Sequence, residues 1–145
     1  MIRRIVFLFL VFFLSSPLLA ASYGPYSLIA PVAIDGDTIR ADVMIWPDII
    51  AEASIRVAGV DTPELVGNGT RVIPPCEKVL AARARDFTQD WINAHQPLTI
   101  QRVQNFKYGI GAIVVGKDQT LLAGALIAAG IARPYSGGAR QPWCQ

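Results

Sequence analysis

Between Thr38 and Trp46 the chain alternates with a period of two: Ile39, Ala41, Val43 and Ile45 fall on one face, Arg40, Asp42 and Met44 on the other. Successive side chains of a strand point to opposite sides of a sheet, so this period predicts a half-buried β-strand. The turn residues Asp35-Gly36-Asp37 precede it, and before them Ser27 to Ile34 reads as another extended run. Two such runs across an Asp-Gly turn predict an antiparallel hairpin. Pro47-Asp48 makes the next turn. Ile49 to Val60 then reads as a third strand, with Ala51, Ala53, Ile55 and Val57 facing in and Glu52, Ser54 and Arg56 facing out. Any fold for this chain has to be built on that three-stranded meander.

A loop from Asp61 to Pro75, rich in Pro and Gly, follows the meander. A helix is expected from Cys76 to Ala94, with Leu80, Ala84, Phe87 and Trp91 as its apolar stripe. Leu98 to Val103 and Ala112 to Val115 look like two more strands. Thr120 to Ala129 reads as a shorter helix ended by Gly130, and the tail from Arg133 as irregular. Five strands, with a helix between the third and fourth, predict a mainly β chain with helices (α+β). The expected architecture is a five-stranded OB-type barrel with one long and one short helix. A β-sandwich fragment fits the pattern nearly as well.

The N-terminus has a different character. Arg3 and Arg4 precede an unbroken apolar run from Ile5 to Leu14, then Ser15, Ser16 and Pro17, with small residues at Ala20, Ala21 and Ser22. This is the layout of a secretory signal peptide over residues 1–22, leaving a single domain over 23–145 that is exported, periplasmic or secreted. The alternative, an uncleaved anchor, needs about 20 apolar residues, and Pro17 interrupts the run too early. The leader also accounts for the net charge. The chain has 13 Lys and Arg against 11 Asp and Glu, but Arg3 and Arg4 make up the whole excess. A generally basic nucleic-acid binder is thereby excluded, and any anion affinity must come from local geometry. Both cysteines, Cys76 and Cys144, lie in the exported part, where an oxidising compartment permits a disulfide; two free thiols are the alternative. By the chain-entropy argument, a closed loop of this size contributes about 4 kcal/mol.

Two short stretches concentrate chemistry-bearing residues: Ile34-Asp35-Gly36-Asp37-Thr38 at the hairpin turn, and Ile55 to Glu64 around the end of the third strand. In a meander, Asp37 and Asp61 converge near one rim. Two carboxylates with a nearby backbone carbonyl make an oxygen site suited to a hard cation such as Ca²⁺. Glu64 is placed to orient or deprotonate water, and Arg56 to clamp an anionic oxygen. Taken singly, Asp-Gly-Asp-Thr is equally an ordinary Asx turn and Asp-Thr-Pro-Glu an ordinary strand exit. His95, alone and beside Gln96-Pro97, reads as a loop histidine. Trp46, Trp91 and Trp143 read as packing residues, Trp143 the least clearly.

Taken together, and in this order and spacing, the motifs resemble the thermonuclease (staphylococcal-nuclease-like) family, in its secreted bacterial branch. The resemblance runs from Asp-Gly-Asp-Thr through Arg56 and Asp61-Thr62-Pro63-Glu64 to Cys76-Glu77. It resumes at Lys107-Tyr108-Gly109 and at Leu126 to Tyr135, and the ending through Pro142-Trp143-Cys144 is similar to the branch with a paired cysteine. The family implies Ca²⁺ bound by Asp37, Asp61 and the Thr62 carbonyl. It also implies Glu64 acting on the attacking water, Arg56 holding the scissile phosphate, and Tyr108 with Lys107 near the nucleotide phosphate. The implied substrate or ligand is single-stranded DNA or RNA. The chain is expected to be a monomer with no stable membrane association once the leader is removed.

The chain also departs from the family. Where the pattern carries Asp-Lys-Tyr-Gly-Arg, this sequence reads Phe106-Lys107-Tyr108-Gly109-Ile110-Gly111, so the second catalytic arginine is missing near Ile110. Loss of one preorganised donor costs roughly 10²–10³ in rate, unless Arg102, Lys107 or a tail arginine reaches the phosphate. The expectation is therefore an exported Ca²⁺-dependent phosphodiesterase of reduced activity. Its alternatives are a catalytically inactive OB-fold module that binds nucleic acid or phosphate, and an envelope protein that has merely kept the fold.

Overall fold

The computed structural model describes residues 23–67 and 71–144; the expected leader and its cleavage site lie outside them. The elements in chain order are β1 (Tyr26–Asp35), β2 (Thr38–Trp46), β3 (Ile49–Val57), β4 (Val60–Asp61), α1 (Pro75–His95), β5 (Thr99–Phe106), β6 (Gly109–Val115), α2 (Leu122–Ala128) and β7 (Arg133–Pro134). Five strands close into a barrel in the order β1-β2-β3-β6-β5, with β5 returning to β1. The β3–β6 pair is parallel and the other four are antiparallel. The chain is thus an OB-like α+β barrel with two helices, and closure leaves the five strands no free edge. Register shifts in β1, between Ile29 and Val32 and between Ala33 and Asp35, bend that strand as it pairs with both β2 and β5.

The core joins Leu28, Ile39, Ala41, Val43, Ile55, Val57, Ile100, Ala112 and Val114 of the barrel to Trp91 and Ile92 of α1 and Leu122 and Leu126 of α2. The inward register expected for β2 and β3 therefore holds in the body of the barrel. It fails at the hairpin tip, where Ile45, Trp46 and Ala51 are exposed together with Met44, Ile49 and Ile50. Neither face of the tip is covered, so alternation there does not sort side chains into core and solvent.

Several boundaries differ from expectation, among them the end of the fourth expected strand, at Phe106 and not Val103, and the start of the second helix, at Leu122 and not Thr120. The third strand ends at Val57, not Val60: Gly59 turns the backbone at φ +85°, and Val60–Asp61 leaves the barrel as β4. β4 pairs with β7, Val60 with Pro134 and Asp61 with Arg133, so the tail expected to be irregular contributes a short strand. β6 starts at Gly109, earlier than Ala112, because two glycines mask its β propensity. Pro75 opens α1 and the residue before Pro97 ends it. Its buried face is Glu77, Ala81, Ala84, Thr88, Trp91 and Ile92, whereas Leu80 and Phe87 are only half-buried. The stripe is rotated from the expected one because two of its buried positions are polar.

Candidate functional site

Those two polar positions bind the helix to the β1–β2 turn and to the loop after β4. Thr88 donates its hydroxyl to the Gly36 carbonyl at 2.6 Å. Gly36 approaches α1 so closely that a Cβ there would lie 2.6 Å from the Ala84 Cβ and 2.9 Å from Thr62, which is why the turn carries glycine. Asp37 follows with its side chain enclosed, the residue being 1% exposed. Its Oδ2 accepts the Thr62 main-chain N–H at 3.2 Å, and its Oδ1 accepts the Thr38 hydroxyl at 3.2 Å. Thr38 pairs with Arg56 across β2–β3, which sets Arg56 beside the turn. Arg56 donates to both Asp37 oxygens, at 2.9 and 2.7 Å. The same Nη2 lies 3.7 Å from Asp61 Oδ1, so one guanidinium spans both buried carboxylates.

Burial pushes the Asp37 carboxyl above its usual range, and nearby Asp61 adds to the rise; Arg56, Thr38 and Arg140 pull the other way without cancelling it. Asp35 is also raised, chiefly by burial, with the Asp37 charge adding to it. Asp61 Oδ1 is buried without a hydrogen-bond partner of good geometry. Among the described residues no three His, Cys, Asp or Glu side chains cluster as a ready-made metal cage. What the site offers is smaller: a buried Asp37–Asp61 pair beside the Thr62 main chain, where Asp61 Oδ1 faces the Arg56 and Arg140 guanidinium groups without a well-aligned hydrogen bond. Oxygen-only donors of this kind fit a hard divalent cation.

Glu64 lies at the mouth of this arrangement. Its main-chain N–H donates to Glu77 Oε1 at 3.2 Å, and Glu77 is itself 1% exposed and gripped by Arg71 Nη2 at 2.7 Å. The first turn of α1 thus fixes the backbone that presents Glu64. In front of Glu64 opens a cleft of about 570 Å³ lined by Arg56, Phe106, Lys107, Tyr108 and Arg140 among others. The Phe106 ring centre lies 5.8 Å from the Arg56 guanidinium, within cation–π reach. Lys107 and Tyr108 are exposed at the rim, with Lys107 Nζ 4.9 Å from the Tyr108 ring centre.

The residues singled out from sequence therefore converge: Asp37, Asp61 and Thr62 at the buried base, Arg56 and Glu64 above them, Lys107 and Tyr108 at the rim. Cys76 and Cys144 are joined, with Cα atoms 6.3 Å apart across 68 residues of sequence. Of the two positions where the sequence resemblance leads one to expect a second arginine, Ile110 pairs with core Ile55 and packs on the core, while Gly111 pairs with Arg56. Gly111 is therefore the position on the site's face. Sequence reasoning missed Arg71, Glu77 and Thr88, and foresaw a tail arginine without naming it. That residue is Arg140: its Nε lies 3.1 Å from Asp61 Oδ1, and its Nη1 pairs with the Glu64 carboxylate. Arg102 does not line the cleft. His95, expected in a loop, is instead the last residue of α1, where its ring stacks on Trp91 at 4.3 Å. Comparison with protein-family models gives no match to this chain, and a search of curated proteins finds no relative.

Proposed function

We propose that the chain is an exported Ca²⁺-dependent phosphodiesterase of the thermonuclease type, acting on single-stranded DNA or RNA. The observation that carries the reading is the placement of Glu64 and Arg56 over a buried Asp37–Asp61 pair at the base of an open cleft, three carboxylates facing the two guanidinium groups of Arg56 and Arg140. Asp37, Asp61 and the Thr62 carbonyl would hold the cation, Asp37 yielding to it a lone pair that Thr38 or the Thr62 N–H now occupies; when bound, the cation supplies Lewis-acid neutralisation of the phosphate charge.

The chain's own residues supply the remaining steps. Arg56 spends two of its five N–H donors on Asp37 and keeps three for a nonbridging phosphate oxygen. Asp37 holds that guanidinium in one orientation, so no reorganisation is needed as charge builds on the phosphate. Glu64, partly exposed and fixed through its backbone, takes the proton of a water whose oxygen attacks phosphorus. A P–O ester bond breaks, and the leaving oxygen takes a proton from solvent. Lys107 and Tyr108 border the path of the chain of nucleotides.

The test is cleavage of a single-stranded oligonucleotide by the exported form with and without Ca²⁺. Cleavage should require the ion and fall at least 10²-fold in Glu64→Gln. Cleavage unchanged in Glu64→Gln would refute the assignment. Salt-sensitive binding without any cleavage would instead identify a non-catalytic nucleic-acid module.

A further inference from the structure

Ten residues of the tail, from Pro134 to Trp143, are organised around a single side chain that faces the cleft. β7 anchors one end by pairing with β4, the strand that carries Asp61, and the Tyr135 N–H donates to the Gly59 carbonyl at 2.9 Å. Gly137 and Gly138, at φ +107° and +95°, then turn the chain back on itself, with the Tyr135 hydroxyl donating to the Gly138 carbonyl at 2.7 Å. Arg133 closes the loop from inside: its guanidinium stacks on Trp143 at 3.8 Å and donates to the Pro142 carbonyl at 3.1 Å. The Cys76–Cys144 bond fastens the far end to the first turn of α1, next to Glu77. Arg140 lies within this loop, bonded to both Asp61 and Glu64 and lining the same cleft as Arg56.

We infer that Arg140 is a catalytic residue, a second guanidinium that binds the phosphate opposite Arg56 and is delivered into the site by the disulfide-closed tail. The inference rests on the phosphodiesterase reading above. β6 brings no cation of its own to this face, since Arg56's partner there is Gly111. Arg140 uses one nitrogen on Asp61 and another on Glu64, so further N–H donors remain for an incoming oxyanion. Without substrate its charge rests on the carboxylates. An incoming phosphodiester brings a competing anion, and the guanidinium turns to it, leaving Glu64 free to accept a proton from water. A lysine would bring the charge but not the planar fork.

The experiment compares the oxidised full chain with Arg140→Ala and Arg140→Lys, using a single-stranded oligonucleotide in Ca²⁺. We expect kcat to fall roughly 10²–10³-fold in Arg140→Ala, with a smaller fall in Arg140→Lys. The Kd of the oligonucleotide, measured in a Glu64→Gln background, should change less than about tenfold. Added guanidinium ion should restore part of the Arg140→Ala rate, which a purely structural role would not allow. Reduction of the disulfide should slow the wild type and leave Arg140→Ala nearly unaffected. The inference is overturned if Arg140→Ala keeps kcat within twofold, or if its loss resists guanidinium and reduction slows both forms alike; the phosphodiesterase reading survives either result. A wild-type chain that cleaves nothing overturns both.

Discussion

Arg56 on β3 and Gly111 on β6 are direct partners across the barrel's parallel strand pair. Partners in that position point to the same side of the sheet, so a side chain at 111 would stand beside the Arg56 guanidinium. A Cβ there meets only the Gln104 side chain, at 3.5 Å, an ordinary contact. Gly111→Arg is therefore expected to fold and, introduced into Arg140→Ala, to recover roughly tenfold of the lost cleavage rate. Ile110→Arg, one residue earlier, should recover nothing. It turns a charge toward core Ile55 and should cost about 1–3 kcal/mol, read from denaturant midpoints. Equal recovery by the two would show that the site does not lie on the Arg56 face.

Glu77 ties stability and activity together. It is enclosed, ion-paired with the partly exposed Arg71, and accepts the Glu64 main-chain N–H. Glu77→Gln keeps the shape but removes the charge from these bonds. A loss of roughly 1–3 kcal/mol is expected, below the full cost of a buried pair because Arg71 still reaches water. Urea unfolding measures it as a lowered midpoint at unchanged slope. Because the neutral amide oxygen holds the Glu64 N–H less firmly than the carboxylate does, kcat should also drop more than KM rises. A stability loss with kcat untouched would show that Glu64 needs no support from α1.

Calcium should stabilise the folded chain. A cation held between Asp37 and Asp61 binds only the folded state, and at 100 times its Kd adds about 2.7 kcal/mol. For a domain of this size that is a rise in Tm of about 5–15 °C. Asp61→Asn keeps the fold's shape and should abolish the rise. A wild-type Tm that ignores Ca²⁺ would remove the cation from the proposal.

The barrel was legible where one physical cause acted alone. Alternation gave Ile39, Ala41, Val43, Ile55 and Val57 because one face of those strands meets the core and the other meets water. It misassigned Ile45 and Ala51 because no partner covers either face of the hairpin tip. The carboxylates and Arg56 were legible because the β1–β2 turn and the end of β3 adjoin in any meander. Glu77 and Thr88 were not, since hydrophobic periodicity cannot detect a polar residue buried by its hydrogen bonds. Arg140 was hidden for another reason. Its place depends on β7, two left-handed glycines and a bond to α1, and nothing local to Ala139-Arg140-Gln141 announces where the side chain goes.

The placing of Asp37 depends on the absence of one methyl group at Gly36. The turn sits against α1 with its carbonyl on Thr88, and Thr62 closes it from the other side. In Gly36→Ala the new Cβ would lie 2.6 Å from the Ala84 Cβ and 2.9 Å from Thr62, so neither neighbour is a flexible chain end that can swing away. Either the turn lifts from the helix or α1 shifts outward, at about 1–3 kcal/mol for overpacking of this kind. A lifted turn carries Asp37 off the Thr62 N–H and slackens its hold on Arg56. Gly36→Ala is therefore expected to lower Tm by several degrees, to weaken the Ca²⁺-induced rise, and to cut cleavage at least tenfold. The companion variant Ala84→Gly removes the opposing methyl group. Combined with Gly36→Ala it should restore much of the calcium response and cleavage, although glycine within α1 itself costs about 1 kcal/mol. If the pair behaves no better than Gly36→Ala alone, contact with α1 is not what positions Asp37.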